Sequence, residues 1–403
     1  MSWIEEWLFN MWECYVFDTM TGVIDAPIDI PNLSWTLTVS SCSLATTKDK
    51  GTGEGDASGL NVPWEALPVK SQEGRNAFLA PYRRGLVLVW DGAPVVAGII
   101  GLRTDSYLDT SFDLLSPMDF LDHRFIVTEG RFGKGYGSTT NDTMFFSGLS
   151  LRAIACEIGR MATDKKQGGY LPIEWKYLGE RGSSQRTYYG YNVGNNSAKK
   201  LLTAIANVEN GPDMQFRPKI DGNRVSWTFE AGSDSEPYLG QSGVVPTLTW
   251  FKGGGTIEGI KVAHGAPTMR VYGTGSGQDE GTLCYLAQDM TLCQRNDPWP
   301  LVEAQNGSSD WGTEDLVRRH SNALLESSKR PLVQITGRTF VNDAGNNVTP
   351  GILWPGQEVD VAIDGYPTLP DGVYKLRLME MKGDLTDKVQ LTFDPIFDPW
   401  EVW

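Results

Sequence analysis

Three histidines (His123, His264, His320), five cysteines (Cys14, Cys42, Cys156, Cys284, Cys293) and 50 aspartates and glutamates are the side chains able to do nucleophilic, acid–base or metal chemistry. Their spacing withholds each of those chemistries in turn. No histidine opens the HExxH pattern that sets two imidazoles on one helix face, and no serine completes the GxSxG elbow. The cysteines are odd in number and lack CxxC spacing, which argues against both a disulfide framework and a compact zinc site. Cys284 and Cys293 could meet across a hairpin, but no histidine flanks them at ligand spacing. His320 shares a predicted helix face with Leu316, Ala323 and Leu324, the setting of a hydrogen-bonded core or edge histidine rather than a base.

The glycine-rich runs fare no better as phosphate loops. Gly253-Gly254-Gly255, Gly273-Thr-Gly275-Ser-Gly277 and Gly133-Lys-Gly135-Tyr-Gly137 complete neither GxGxxG nor the Walker spacing. None is followed by the strand-turn-helix unit that aims a helix N-terminus at phosphate. Carboxylates and an aromatic content of 11% are the raw material of a glycosidase cleft or a sugar-binding surface, but abundance does not place two acids across a glycosidic bond. The Asn-x-Ser/Thr triplets at Asn32, Asn141, Asn195, Asn306 and Asn347 follow no secretory leader and read as chance matches. No catalytic residue, cofactor-binding residue or metal ligand is assigned, and the chain is read as a structural protein and not an enzyme.

At 403 residues and 44.5 kDa the chain exceeds what one hydrophobic core serves. A formal charge of -15 and a pI near 4.7 repel phosphate backbones and anionic lipid, against sequence-specific nucleic-acid binding. The first residues lack a basic start and a long apolar run, and no apolar stretch reaches the ~20 residues of a membrane span, so synthesis and folding in the host cytoplasm are expected.

The elements follow from periodicity. Trp3, Ile4, Trp7, Leu8, Met11 and Trp12 recur at helical spacing and predict a Trp-rich N-terminal helix over 1–13. A β domain is expected over 14–130, with alternating CYVFD and WTLTVSS and a hairpin turning at Asp91-Gly92. Within it Lys48 to Asn61 is a polar, glycine-rich loop, and Ser116-Pro117 caps a short helix. An inserted α+β domain is expected over 131–235, with helices at 151–163 and 197–209 and a hairpin turning at Asp221-Gly222-Asn223. A second β domain follows over 236–403, with one helix at 314–328 capped by Thr313. The fold class is therefore mainly β with an inserted α+β unit, multidomain, the β domains barrel-like or sandwich.

Several phrases carry a likeness. YVFDTMTG, the Trp35 run WTLTVS, PYRRGLVLVWDGAPVVAGII and the closing PGQEVDVAIDGYPTLPDGVYKLRLMEMKGDLTDKVQLTFDP resemble a family of minor tail proteins of long-tailed actinobacterial phages. The likeness covers essentially the whole length, faintly from Gly135 to about Gly255, and its phrases are structural. It implies a tail or baseplate hub of the virion tail tip: barrel-like domains of three copies forming a ring on the tail axis, through which the genome passes. A sixfold distal tail ring protein and a carbohydrate-binding receptor module are the alternatives. The implied partners are further copies of the chain, the distal tail ring, the tape measure and tip or fibre proteins. Trp3, Trp7, Trp12, Trp400 and Trp403 are the candidate subunit-interface residues, because apolar clusters near both ends of a free monomer would promote aggregation. The axis-facing wall is expected to be net acidic, since a basic wall would hold DNA.

Overall fold

The computed structural model describes residues 12–46, 59–128, 130–133, 140–241, 243–329, 332–341 and 348–395. Among the described residues strands take up 45% and helices 17%, with one sheet curled as a half-barrel. No helix among the described residues is long and apolar enough to cross a membrane.

A six-stranded antiparallel sheet runs in the order Ile24–Pro27, Trp12–Asp18, Arg84–Trp90, Ala93–Asp105, Asp109–Leu115, Leu60–Pro63. Its centre is buried on both faces, which explains the unbroken apolar run LVLVW. Leu86, Leu88 and Trp90 enter one core and Val87 and Val89 the other, as the two-residue period of a strand requires. The tight turn into the next strand sits at Asp91 and Gly92, with φ of 45° and 77°, the positive pair that a two-residue hairpin loop needs.

The second large sheet has nine strands. Seven lie in the order Gly254–Gly255, Thr247–Phe251, Glu358–Asp364, Gly372–Asp384, Lys388–Pro395, Leu332–Phe340, Glu258–Gly265. The other two come from the N-terminal third: Leu33–Thr38 pairs with Gly372–Asp384, and Cys42–Thr46 pairs with Leu33–Thr38. Strands from within 14–130 and 236–403 thus share one sheet and one core cluster. The physical reason is the 13-residue length of Gly372–Asp384. Its first half pairs with Glu358–Asp364 and its second half with Leu33–Thr38.

Tryptophans lock that junction. Trp12, Trp35 and Trp90 are 4%, 1% and 3% exposed, with Trp12 centred 5.4 Å from Trp35 and 4.7 Å from Trp90. The indole N–H of Trp12 donates to the Thr386 carbonyl at 2.9 Å and that of Trp35 to the Asp384 carbonyl at 3.1 Å. Trp12 and Glu13 therefore begin a strand, where the spacing predicted the end of a helix. Pairing with Trp90 and Val89 and burial of the ring outweigh a helical pattern that held over only a few turns.

Among the described residues there are five α-helices: α1 Gln72–Phe78, α2 Pro117–Phe120, α3 Leu151–Ala162, α4 Ala198–Ala206 and α5 Glu314–Ser328. Each starts behind a serine or threonine whose hydroxyl accepts a backbone N–H of the first turn: Ser71, Ser116, Ser150, Ser197 and Thr313. α3 and α4 share a core with the second face of the six-stranded sheet and with the sheet of Ile173–Trp175, Arg224–Ala231 and Met214–Asp221.

One unit stands apart. The nine-stranded sheet is left at Gly265 and re-entered at Leu332, and these two residues are cross-strand partners. The intervening lobe, 268–328, carries Cys284–Gln288, Arg270–Thr274 and Glu303–Gly307 in one small sheet with α5 packed on it. Gly273 and Gly275 prove to be packing residues: a β-carbon on Gly273 would lie 1.9 Å from Ser321 Oγ, and one on Gly275 2.5 Å from Val317 Cγ2. The glycines let α5 lie directly on the strand and its extension.

Candidate functional surface

Side chains with reactive potential are dispersed. His123 lies edge-on to Tyr82, His264 is on the outer strand Glu258–Gly265, and His320 is buried in α5. Burial pushes the Cys14, Cys42 and Cys156 thiols up to about 12, so they stay protonated and poorly nucleophilic at neutral pH. Cys284 and Cys293 are both free thiols, and Cys293 lies 3.3 Å from the Met269 sulfur. Among the described residues no three His, Cys, Asp or Glu side chains converge as a metal site.

What the fold offers instead is surface relief. A groove of about 2140 Å³ runs between the lobe, the α+β unit and the end of the nine-stranded sheet, with Tyr189, Lys200, Trp311, Leu324, Arg377 and Pro395 on its walls. Its two sides are joined by Asn195, which donates to Asp310 at 2.7 Å, and by His320, which hydrogen-bonds the Asn207 main chain. The His320 ring stacks on Trp311 at 4.3 Å with planes 6° apart. Burial lowers the affinity of His320 for a proton, against the Asn207 bond that raises it, and the nearby Arg186 charge lowers it further.

At the groove mouth Tyr189 and Tyr191 stack at 5.2 Å and are 45% and 70% exposed. Arg186 and Lys200 also line the groove and donate to the main-chain carbonyls of Gln185 and Gly194. Three carboxylates near this wall are hydrogen-bonded, Asp119 by Lys199, Asp122 by Ser197 and Asp310 by Asn195. The groove thus carries exposed aromatic surface and two cations, Arg186 and Lys200, that have no ion-pair partner among the described residues.

The other relief feature is the turn between Ala93–Asp105 and Asp109–Leu115. Ser106 N donates to the Asp109 carbonyl at 2.8 Å, and Ser106 Oγ donates to Asp109 Oδ1 at 2.6 Å while accepting from the N–H groups of Leu108 and Asp109. Trp64 braces it from outside, donating its indole N–H to the Ser106 carbonyl and its backbone N–H to the Leu108 carbonyl, both at 3.0 Å. On this fixed backbone Tyr107 is 95% exposed and Leu108 73%. Sequence reading passed over the turn. The signal was present in Ser-Tyr-Leu-Asp, a serine–aspartate turn bracket around two large apolar residues.

Of the interface residues expected from sequence, Trp12 has its ring taken up by its own chain, and Trp3, Trp7, Trp400 and Trp403 lie outside the described residues.

No family model matches the chain, and no curated protein sequence does. Solved structures do. The 43 kDa tail protein of prophage MuSo2 from Shewanella oneidensis matches at a TM-score of 0.51 and 10% identity, over 95% of this chain and 98% of that one. A tail protein from Neisseria meningitidis MC58 matches at 0.47 and 14% identity, over 97% and 98%. Prophage tail protein gp18 from Listeria monocytogenes EGD-e matches at 0.42 and 12% identity, over 95% and 94%. Over nearly its whole length the chain shares the fold of the Shewanella prophage tail protein, a mainly β architecture with an α+β unit set into it.

Proposed function

We propose that this chain is a structural subunit of the tail tip of a long-tailed actinobacterial phage. In this reading three copies form a hub ring on the tail axis, link the tube to the distal tip and gate genome passage. The observation that carries the reading is the end-to-end fold likeness to a prophage tail protein. A fold alone does not specify function, but here it agrees with the sequence phrases at both ends of the chain. The ring meets the distal tail ring, the tape measure and tip or fibre proteins, and the chain resides in the virion. Trp3, Trp7, Trp400 and Trp403 lie at subunit contacts, because tryptophan combines a large apolar area with few torsions to immobilise. The charge of -15 fits a channel wall along which DNA slides without being held.

The test is a cryo-EM map of the tail tip together with native mass spectrometry of the isolated chain. Three copies around an acidic channel are expected. Six copies would transfer the chain to the distal ring, and a basic wall would overturn the account of genome passage.

A further inference from the structure

The turn at 106–109 has its main chain bonded at Ser106, Leu108 and Asp109 while its apolar side chains stand exposed, an arrangement suited to contact. Most exposed apolar residues are scattered singly and need no explanation, but Tyr107 and Leu108 are adjacent, 95% and 73% exposed, and held on a backbone braced by Trp64. Such a tip loses little conformational freedom on binding, and aromatic anchors of this kind dominate interface affinity. Asp109, at its edge, is bonded by Ser106 and Asn61 and has no cationic partner among the described residues.

The same chain carries the complement. At the groove mouth Tyr189 and Tyr191 offer stacked aromatic faces, and Arg186 and Lys200 offer cations without a carboxylate partner. None of the groove's walls comes from residues 60–115, so the tip does not fill the groove of its own chain. Copies in a ring meet through two different surfaces, one giving and one receiving. We propose that the tip at 106–109 of one copy seats on Tyr189 and Tyr191 of the next, with Asp109 toward Lys200 and Arg186. This rests on the ring reading above and assigns its copy-to-copy contact. Tyrosine rings meet edge-to-face or offset, and the carboxylate meets cations that otherwise bond only main-chain carbonyls.

The experiment uses the full chain. Tyr107→Ser combined with Leu108→Ser removes apolar surface from solvent-facing positions, so circular dichroism and the thermal midpoint should match the parent. The concentration at which the ring half-dissociates, read by native mass spectrometry and sedimentation, should rise about tenfold or more. In parallel, a benzophenone amino acid at position 107 should, on irradiation, join two copies, with the adduct mapped to 186–200. An assembled ring indifferent to the double substitution, or adducts elsewhere, would overturn the contact and leave the ring standing. A parent chain that stays monomeric at high concentration would overturn the ring and the contact together.

Discussion

The interlocked β body and the lobe at 268–328 solve the same packing problem at opposite scales. In the body, Arg84–Trp90 feeds two cores at once and Gly372–Asp384 binds N- and C-terminal strands along one edge. The core cluster of the lobe holds Val271, Ala287 and Leu325 as its fully buried members, with Val317 and His320 buried along α5. The body joins segments more than 300 residues apart in sequence, as when Trp12 bonds Thr386, whereas the lobe closes on itself between Gly265 and Leu332. A region with few buried apolar contacts opens at lower free energy than the global transition. The lobe is thus expected to open at lower free energy than the body.

The largest effect that tests this contrast is Trp35→Ala. The ring is 1% exposed, packs on Trp12 and ties to the Asp384 carbonyl, so its loss leaves a cavity at the seam between the two sheets. A cost of about 3–5 kcal/mol is expected, read as a lower denaturant midpoint with protection from hydrogen exchange lost in both sheets. Leu325→Ala comes next, at about 2–3 kcal/mol, but with a different pattern. Exchange should accelerate within 268–328 while the body keeps its protection. A uniform loss across the whole chain would show that lobe and body unfold as one unit, and the contrast would be wrong.

Where local chemistry decides a structure, the sequence was readable. Asp91-Gly92 turned a hairpin, and Ser116, Ser150, Ser197 and Thr313 began helices. Pairing partners were not readable, because Leu33–Thr38 alternates in the same way whether its neighbour is nearby or more than 300 residues away. The strand at Trp12 was misread as helix because tryptophans at four- and five-residue spacing satisfy a helical stripe, while what fixes Trp12 is burial against Trp35 and Trp90. The lobe went unseen for a related reason. Its glycines at 273 and 275 suggested loops, yet side chains of α5 occupy the space a β-carbon there would need. At the candidate surface the groove needs three separate chain segments and could not be read in one dimension, whereas the tip at 106–109 lay within four consecutive residues.

A smaller effect isolates α5 from its sheet. The Thr313 hydroxyl accepts from the Leu316 N–H at 3.3 Å, and Glu314 and Asp315 sit in the same first turn, where negative charge meets the positive end of the helix dipole. Thr313→Ala should cost about 1 kcal/mol. It should appear as faster exchange in the first turns of α5, with the denaturant midpoint of the body unchanged. A shift of that midpoint would mean that α5 is coupled to the body more tightly than the small core of the lobe implies.

The most delicate test is acid. His320 stacks on Trp311, bonds the Asn207 main chain and lies within the field of the Arg186 charge. Burial and the Arg186 charge hold its proton affinity below the ordinary value of 6.5, the Asn207 bond offsetting only part of that. A base whose folded pKa lies below its unfolded one binds more protons when released, so stability rises with pH between the two values. Above pH 6.5 the docked lobe is therefore fully favoured, and the advantage is lost as pH falls from there toward the lower folded pKa. Between pH 7.5 and 5, exchange in α5, corrected for its intrinsic pH dependence, should accelerate more than in the central strand Arg84–Trp90. His320→Gln removes the titration and should flatten that difference. If it does not, the acid response belongs to carboxylates elsewhere, and His320 is simply a packed ring on Trp311.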